Sequence, residues 1–135
     1  MTLADFARTD VLTAAPDTPV DDVAAAMRDH DDDLVVVLDE QRPLGALTAA
    51  DLGRAFVAGE RLADRRAADL LAGDPVTVRA TADREALVDA FDDEAVERAL
   101  VVDDEGGFVG VVTLRDALVQ YGRELEAAFD LLERR

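Results

Sequence analysis

The 135 residues suffice for one sizeable core, or for two small units sharing one. With 31 acidic residues against 14 basic ones the chain carries a net charge of −17, which repels nucleic acid instead of steering it in. No Cys is present, so there is neither a disulfide framework nor thiolate chemistry.

No apolar run approaches the roughly 20 residues that span a bilayer, and the N-terminus lacks the basic and apolar blocks of a signal peptide. A cytoplasmic protein without membrane contact is therefore expected. Every basic residue is Arg, and Lys, Ser, Asn and Ile are absent. The single His, His30, lies in a polar Arg-Asp-His-Asp-Asp-Asp run and reads as a solvated surface side chain, not as a metal ligand or a triad member.

In chain order, residues 1–10 open with a short helix-like lead-in whose apolar positions are Leu3, Phe6 and Ala7. Residues 11–14 read as a strand, closed by the turn residues Pro16-Asp17-Thr18-Pro19. Thr18, Pro19 and the acids Asp21 and Asp22 predict a helix start with Thr18 as N-cap. That helix runs to about Arg28, with Val20, Val23, Ala24 and Met27 on one face. Residues 34–38 are continuously apolar, the mark of a strand buried on both faces. The loop at 39–43 is too brief for a parallel crossover, so residues 44–48 are expected to pair back antiparallel. Residues 51–57 predict a second helix with Leu52, Ala55 and Phe56 inward. Across the joining segment 59–74, Leu62, Ala63, Ala67, Leu70 and Leu71 suggest further helix, with Arg61, Arg65 and Arg66 on a solvated outer side.

Then the pattern repeats. Ala68-Asp69, Asp74 and Thr77 reproduce Ala4-Asp5, Asp10 and Thr13 at an offset of 64. A strand at 76–78 follows, then a helix from Asp83 with Leu87, Val88 and Phe91 as its apolar face. A buried strand at 99–102, a loop at 103–107 and a strand at 108–112 complete the copy. One extra loop residue moves the offset to 65. The last segment, 114–135, predicts a long amphipathic helix. Leu114, Leu118, Tyr121, Leu125, Ala128 or Phe129, and Leu132 alternate steps of four and three, close to a heptad seam. Core packing would account for its first half, while the overhang at 125–132 is expected to meet a second copy or to fold across the chain.

Two matched stretches carry the chemistry: Gly45-Ala46-Leu47-Thr48-Ala49-Ala50-Asp51 and Gly110-Val111-Val112-Thr113-Leu114-Arg115-Asp116. Each is an apolar strand, a Thr, and a carboxylate three residues later at the mouth of a helix. Two readings are open. Thr and Asp cap the helix, or they bind vicinal hydroxyls such as those of a ribose, beside N–H groups that attract anions. An enzyme is not expected, because nucleophiles and general bases are nearly absent and no second acid accompanies Asp51 or Asp116.

A strand–helix–strand–strand–helix unit in tandem, each copy closing on Gly-x-x-Thr-x-x-Asp, resembles the CBS domain pair, or Bateman module, over roughly residues 1–122. The ordered marks are Asp-Pro-Val-Thr-Val at 74–78, Arg98 ahead of Val101-Val102-Asp103, and Gly110 through Asp116. The resemblance implies an α+β fold of two β-α-β-β-α repeats packed about a pseudo-twofold axis, followed by the long C-terminal helix. Repeat 1 would span 1–58, a linker 59–67, repeat 2 68–122 and the helical extension 123–135. It also implies a regulatory module that senses an adenosine-containing ligand (AMP, ADP, ATP or S-adenosylmethionine) in two clefts between the repeats. The Asp would hold the ribose hydroxyls and the Thr would contact ribose or phosphate. One set carried over is Thr48 and Asp51 with Thr77, Val78, Arg98 and Leu100. The other is Thr113 and Asp116 with Thr13, Ala14, Leu34 and Val36, and Arg115 is able to turn toward either.

The departures from the family pattern bear on charge. Ala49-Ala50 stands where many members carry a polar or basic residue, and Asp32-Asp33-Leu34 where a small Gly-Ser often admits the ligand. Leu100 occupies a frequent Pro position and Glu97 a position where a further Arg is common. From charge alone, the cleft with Asp51 and Arg98 is expected to be the better nucleotide site, and the Asp116 cleft, facing Asp32 and Asp33, to prefer a less anionic ligand or to stay empty. The alternative is a structural dimerisation or interaction module that has lost its nucleotide. A homodimer and an unidentified client protein are the expected partners. The acidic, Lys-free composition is similar to that of haloarchaeal cytoplasmic proteins and predicts loss of stability at low salt.

Overall fold

The structure, a computed structural model, describes residues 2–5, 7–94 and 98–134. After a 3-10 turn at Leu3–Asp5, the first copy runs β1 (Leu12–Ala14), α1 (Val20–Asp29), β2 (Leu34–Asp39), β3 (Arg42–Thr48) and α2 (Ala49–Val57). Two more 3-10 turns, Leu62–Asp64 and Ala67–Leu70, lead to β4 (Thr77–Arg79), α3 (Arg84–Glu94), β5 (Arg98–Val102), β6 (Phe108–Thr113) and α4 (Leu114–Glu133). The fold is α+β, with the β-α-β-β-α order present twice.

Each copy forms its own three-stranded sheet, in the orders β1-β2-β3 and β4-β5-β6. β1 lies parallel to β2, with Thr13 opposite Val36, and β4 lies parallel to β5, with Thr77 opposite Leu100. β3 returns antiparallel to β2 with Leu34 opposite Thr48. Glu40 and Gln41 close that hairpin with φ of 50° and 80°, a left-handed pair whose twist matches the strands it joins. Leu34, Val35, Val36 and Val37 are all buried, as the unbroken apolar run requires.

The compact units cut across the repeats. One comprises Asp10–Pro75 and Glu105–Phe108; the other comprises Met1–Thr9, Val76–Asp104 and Val109–Arg135. The core of the first is Val20, Val23, Met27, Val35, Val37, Leu47, Leu52 and Ala67, and that of the second includes Leu3, Val78, Leu87, Phe91, Ala99, Val101 and Val112. Leu3, in the N-terminal lead-in, is thus fully buried in the core of the second copy. Its N–H donates to the Ala82 carbonyl at 3.1 Å and that of Ala4 to Ala80 at 3.2 Å. Sixty-four residues on, Ala67 and Ala68 donate to the carbonyls of Thr18 and Pro16 at 2.8 and 2.9 Å. The joining segment therefore serves the first core as the lead-in serves the second.

Several local expectations change. Pro19, not Thr18, is the N-cap of α1, with no side-chain cap; the Val20 N–H instead donates to the Arg65 carbonyl at 2.9 Å. A backbone acceptor from the joining segment thus takes over what a capping hydroxyl would do. That segment is 3-10 turns, not α-helix. Its Arg residues are absorbed locally: Arg61 pairs with Asp64 at 3.3 Å, Arg65 with Glu60, and Arg66 donates to the Asp17 carbonyl at 3.1 Å. Phe56 is 71% exposed and Val88 53% exposed, because Leu52 with Ala55, and Leu87 with Phe91, already fill the two inward stripes. In α4 no described residue is fully buried. Ala117 is the α4 residue packed against the second core, while Leu118 is 64% exposed, so the seam points away from that core. Among the described residues no helix is long and apolar enough to cross a membrane.

Candidate ligand-binding site

The two Thr-x-x-Asp stretches form matching strand-to-helix corners. At the first, Thr48 is extended (φ −105°, ψ 164°) and caps α2. Its hydroxyl oxygen accepts from the Asp51 N–H at 3.2 Å, while Asp51 Oδ2 accepts from the Thr48 N–H at 2.8 Å and from its hydroxyl at 3.0 Å. At the second, Thr113 (φ −105°, ψ 162°) caps α4. Asp116 N–H donates to Thr113 Oγ1 at 3.0 Å, and Thr113 N–H donates to Asp116 Oδ2 at 3.1 Å. Reciprocal caps of this kind satisfy two otherwise orphaned donors and lock the carboxylate rotamer. They use one carboxylate oxygen each, which leaves Oδ1 for other work.

The two corners differ in what that second oxygen meets. Asp51 Oδ1 takes the guanidinium of Arg54, one turn further along α2. The corresponding place in α4 is Val119, and Asp116 Oδ1 has no partner among the described residues. Arg54 was not singled out by the sequence pattern, although a base three residues after an acid on a helix is a sufficient signal.

Arg98, Thr113, Leu114, Arg115 and Leu118 line one open depression of about 390 Å³, within the 300–1,000 Å³ span of small-molecule sites. Sequence reading assigns Arg98 to the set around Thr48; the structure brings it together with Thr113 and Arg115. At the other corner, the Asp33 carbonyl accepts the Ala49 N–H at 2.9 Å, which brings the acidic 31–33 run to the start of α2. Glu97 lies outside the described residues.

The remaining positions sit on the strands. Thr13 and Ala14 are on β1, Leu34 and Val36 on β2, Thr77 and Val78 on β4, and Leu100 on β5. Leu34, Val36, Val78 and Leu100 are buried, while Thr13 and Thr77 are exposed on edge strands. An edge strand carries unpaired N–H and C=O groups, which suit the polar rim of a planar base. Among the described residues no group of three or more His, Asp or Glu converges as a metal site.

The CBS domain family model matches residues 3–58 and 67–122. The chain belongs to the CBS domain family. An uncharacterized protein of Methanopyrus kandleri is 30% identical over 120 residues, covering 87% of this chain and 61% of the relative. The inosine-5'-monophosphate dehydrogenase of Methanocaldococcus jannaschii is 29% identical over 112 residues, covering 81% of this chain and 21% of that enzyme. The chain thus spans less than two thirds of either relative. Among solved structures, the CBS domain of a bacterial CNNM/CorC family Mg2+ transporter in complex with ATP superposes with TM-score 0.75 at 25% identity, covering 87% of this chain and 84% of that one. A CBS domain protein from Pyrobaculum aerophilum complexed with AMP gives TM-score 0.73 at 21% identity, with coverages of 86% and 89%. Hypoxic Response Protein I with two coordinated zinc ions gives 0.76 at 24% identity, with 89% and 98%. CBS domain pairs are generally regulatory.

Proposed function

We propose that this CBS pair is a regulatory module that senses an adenosine-containing ligand, AMP, ADP, ATP or S-adenosylmethionine, and passes the signal to a client protein. One observation carries the reading: two capped Thr-x-x-Asp corners in matched registers, with Asp116 presenting a carboxylate oxygen that no described residue engages. A carboxylate held by its own helix cap is preorganised to accept two vicinal hydroxyls. The ATP complex of the transporter's CBS domain supports the ligand class, whereas the relatives below 25% identity support the fold alone. Thr48 and Asp51, and Thr113 and Asp116, would hold ribose, with the β1 and β4 positions Thr13, Ala14, Thr77 and Val78 reading the base. No step in this reading breaks a bond; the output is a population shift in a homodimer. The acidic, Lys-free composition supports a haloarchaeal cytoplasmic setting.

A dimerisation or interaction module without ligand is the second reading, favoured by the apolar residues left exposed along α4. Thermal unfolding in about 2 M KCl with and without millimolar AMP, ATP and S-adenosylmethionine separates the two, since a hundredfold ligand excess over Kd adds about 2.7 kcal/mol to a native state that alone binds. A stabilising shift that is lost in the double variant Asp51→Asn, Asp116→Asn, in which both caps can still form, is the expected result. No shift with any of the three ligands would leave the interaction module standing.

A further inference from the structure

α4 continues where its counterpart stops. α2 ends at Val57, and Gly59 follows in the left-handed region at φ 86°. α4 runs past the matching residue, Gly122, as far as Glu133. From Tyr121 to Arg134 every residue is exposed, so no burial in the core holds this stretch helical. A solvated helix of that length is marginal in water, and a glycine in its interior weakens it further. Nothing local demands glycine at 122: an added Cβ meets no atom within 4 Å, and its φ is not positive.

Arg84 grips α4 on both sides of that weak point. Its guanidinium carbon lies 5.0 Å from the centroid of the Tyr121 ring, and the same side chain pairs with Glu124. Asp83 Oδ1 accepts the Ala86 N–H at 3.1 Å, which caps α3 and fixes Arg84 as its first residue. A base in the first turn opposes the helix dipole, so this Arg does not serve α3; its partners stand on α4. At the matching places of the first copy are Val20, Phe56 and Gly59, which cannot form such a grip. Asp83, Arg84, Glu85, Val88 and Glu124 line an open depression of about 430 Å³, so water reaches the ion pair and it opens without breaking any core contact.

We propose that Gly122 is a hinge in α4 and that Arg84 is the latch across it, holding residues 123–133 as an arm that the protein releases without unfolding its core. The arm carries Leu125, Phe129 and Leu132, all exposed, so the latch sets whether these apolar side chains are presented along one line. Such a local opening lies at the low-stability end of a native structure, where an element that moves is drawn from. The device is independent of the nucleotide reading above.

Hydrogen exchange of the full chain, read by mass spectrometry at one fixed KCl and protein concentration, tests this without any ligand. In Arg84→Gln, exchange over 123–133 is expected to rise roughly three- to tenfold, the joint effect of an exposed ion pair and a cation–π contact. The segments 98–113 and 114–120 are expected to keep their rates. Adding Gly122→Ala to that variant is expected to slow the arm again by roughly fivefold, as the helix interior gains a favourable residue. Unchanged exchange over 123–133 in Arg84→Gln would overturn the latch. An equal rise over 98–113 would also overturn it, by making Arg84 a stabiliser of the whole unit. A rise that extends through 114–120 would place the break elsewhere than Gly122 and overturn the hinge.

Discussion

Gly110 lies where β6 receives the N-terminal lead-in. A Cβ there would fall inside the van der Waals surface of the Arg8 carbonyl oxygen, 3.1 Å from the carbonyl carbon and 3.3 Å from the Ala7 Cβ. Those are mostly backbone atoms, tied down by the two 2.9 Å hydrogen bonds that Arg8 and Val111 exchange, so they cannot rotate aside. Gly110→Ala is therefore expected to cost about 1–3 kcal/mol, the usual penalty for forcing a packed contact apart. A lower urea midpoint at unchanged m value would show it. Gly53→Ala is the opposite case: the residue sits inside α2 with nothing within 4 Å of the added Cβ, and the change should stabilise by roughly 0.5–1 kcal/mol. The same sign for both substitutions would show that close approach is not what the first glycine provides. At this scale the sequence exposes the motif but not its cause. Gly110 is visible as the opening of Gly-x-x-Thr-x-x-Asp, whereas the strand-like bridge that demands it comes from residue 8, far away in the chain.

Elements were legible wherever one local signal was enough. The buried strand at 34–38, the antiparallel return to Thr48 and both helix starts at Thr48 and Thr113 follow from apolar runs, loop length and capping chemistry. Elements whose surroundings are non-local were harder to read. The lead-in and the joining segment have the same pattern, and nothing in either says which of two similar cores each will enter. Likewise, apolar spacing marks a face of α4 without saying what covers it. Leu118, Phe129 and Leu132 are 64%, 62% and 67% exposed, a seam that the described residues leave uncovered. If that face meets a second copy, as the proposed homodimer requires, then Leu118→Glu with Phe129→Glu should convert the protein to a monomer. Sedimentation of the wild type and this variant over a concentration series is the check. A dimer that survives both charges would locate self-association elsewhere, and a wild type that stays monomeric throughout would leave α4 without the assigned role. Far-UV circular dichroism should be unchanged, since neither side chain is in the core.

For the whole molecule the balance of charge decides where it is stable. Exposed pairs such as Arg61 with Asp64 and Arg84 with Glu124 strengthen as salt is removed, but each contributes only about 0–1 kcal/mol. The surplus of acids, 31 against 14 bases, acts in the other direction and over a longer range. At about 1 M salt the Debye length is about 3 Å and neighbouring carboxylates barely sense one another; at about 0.01 M it is about 30 Å, comparable to the molecule, and the repulsions add. The midpoint of thermal unfolding is therefore expected to fall continuously as KCl is lowered from molar to millimolar, although local ion pairs improve over the same range. Replacing exposed acids by neutral residues, for instance Asp31→Asn with Asp33→Asn beside the α2 corner, should raise the low-salt midpoint while leaving the high-salt value nearly unchanged, because only the screened component is altered. Sucrose at matched water activity separates screening from general preferential exclusion: it should not restore the low-salt loss. A midpoint indifferent to salt, or one rescued equally by sucrose, would mean that the acidic surface serves solubility alone and that self-repulsion does not limit the fold.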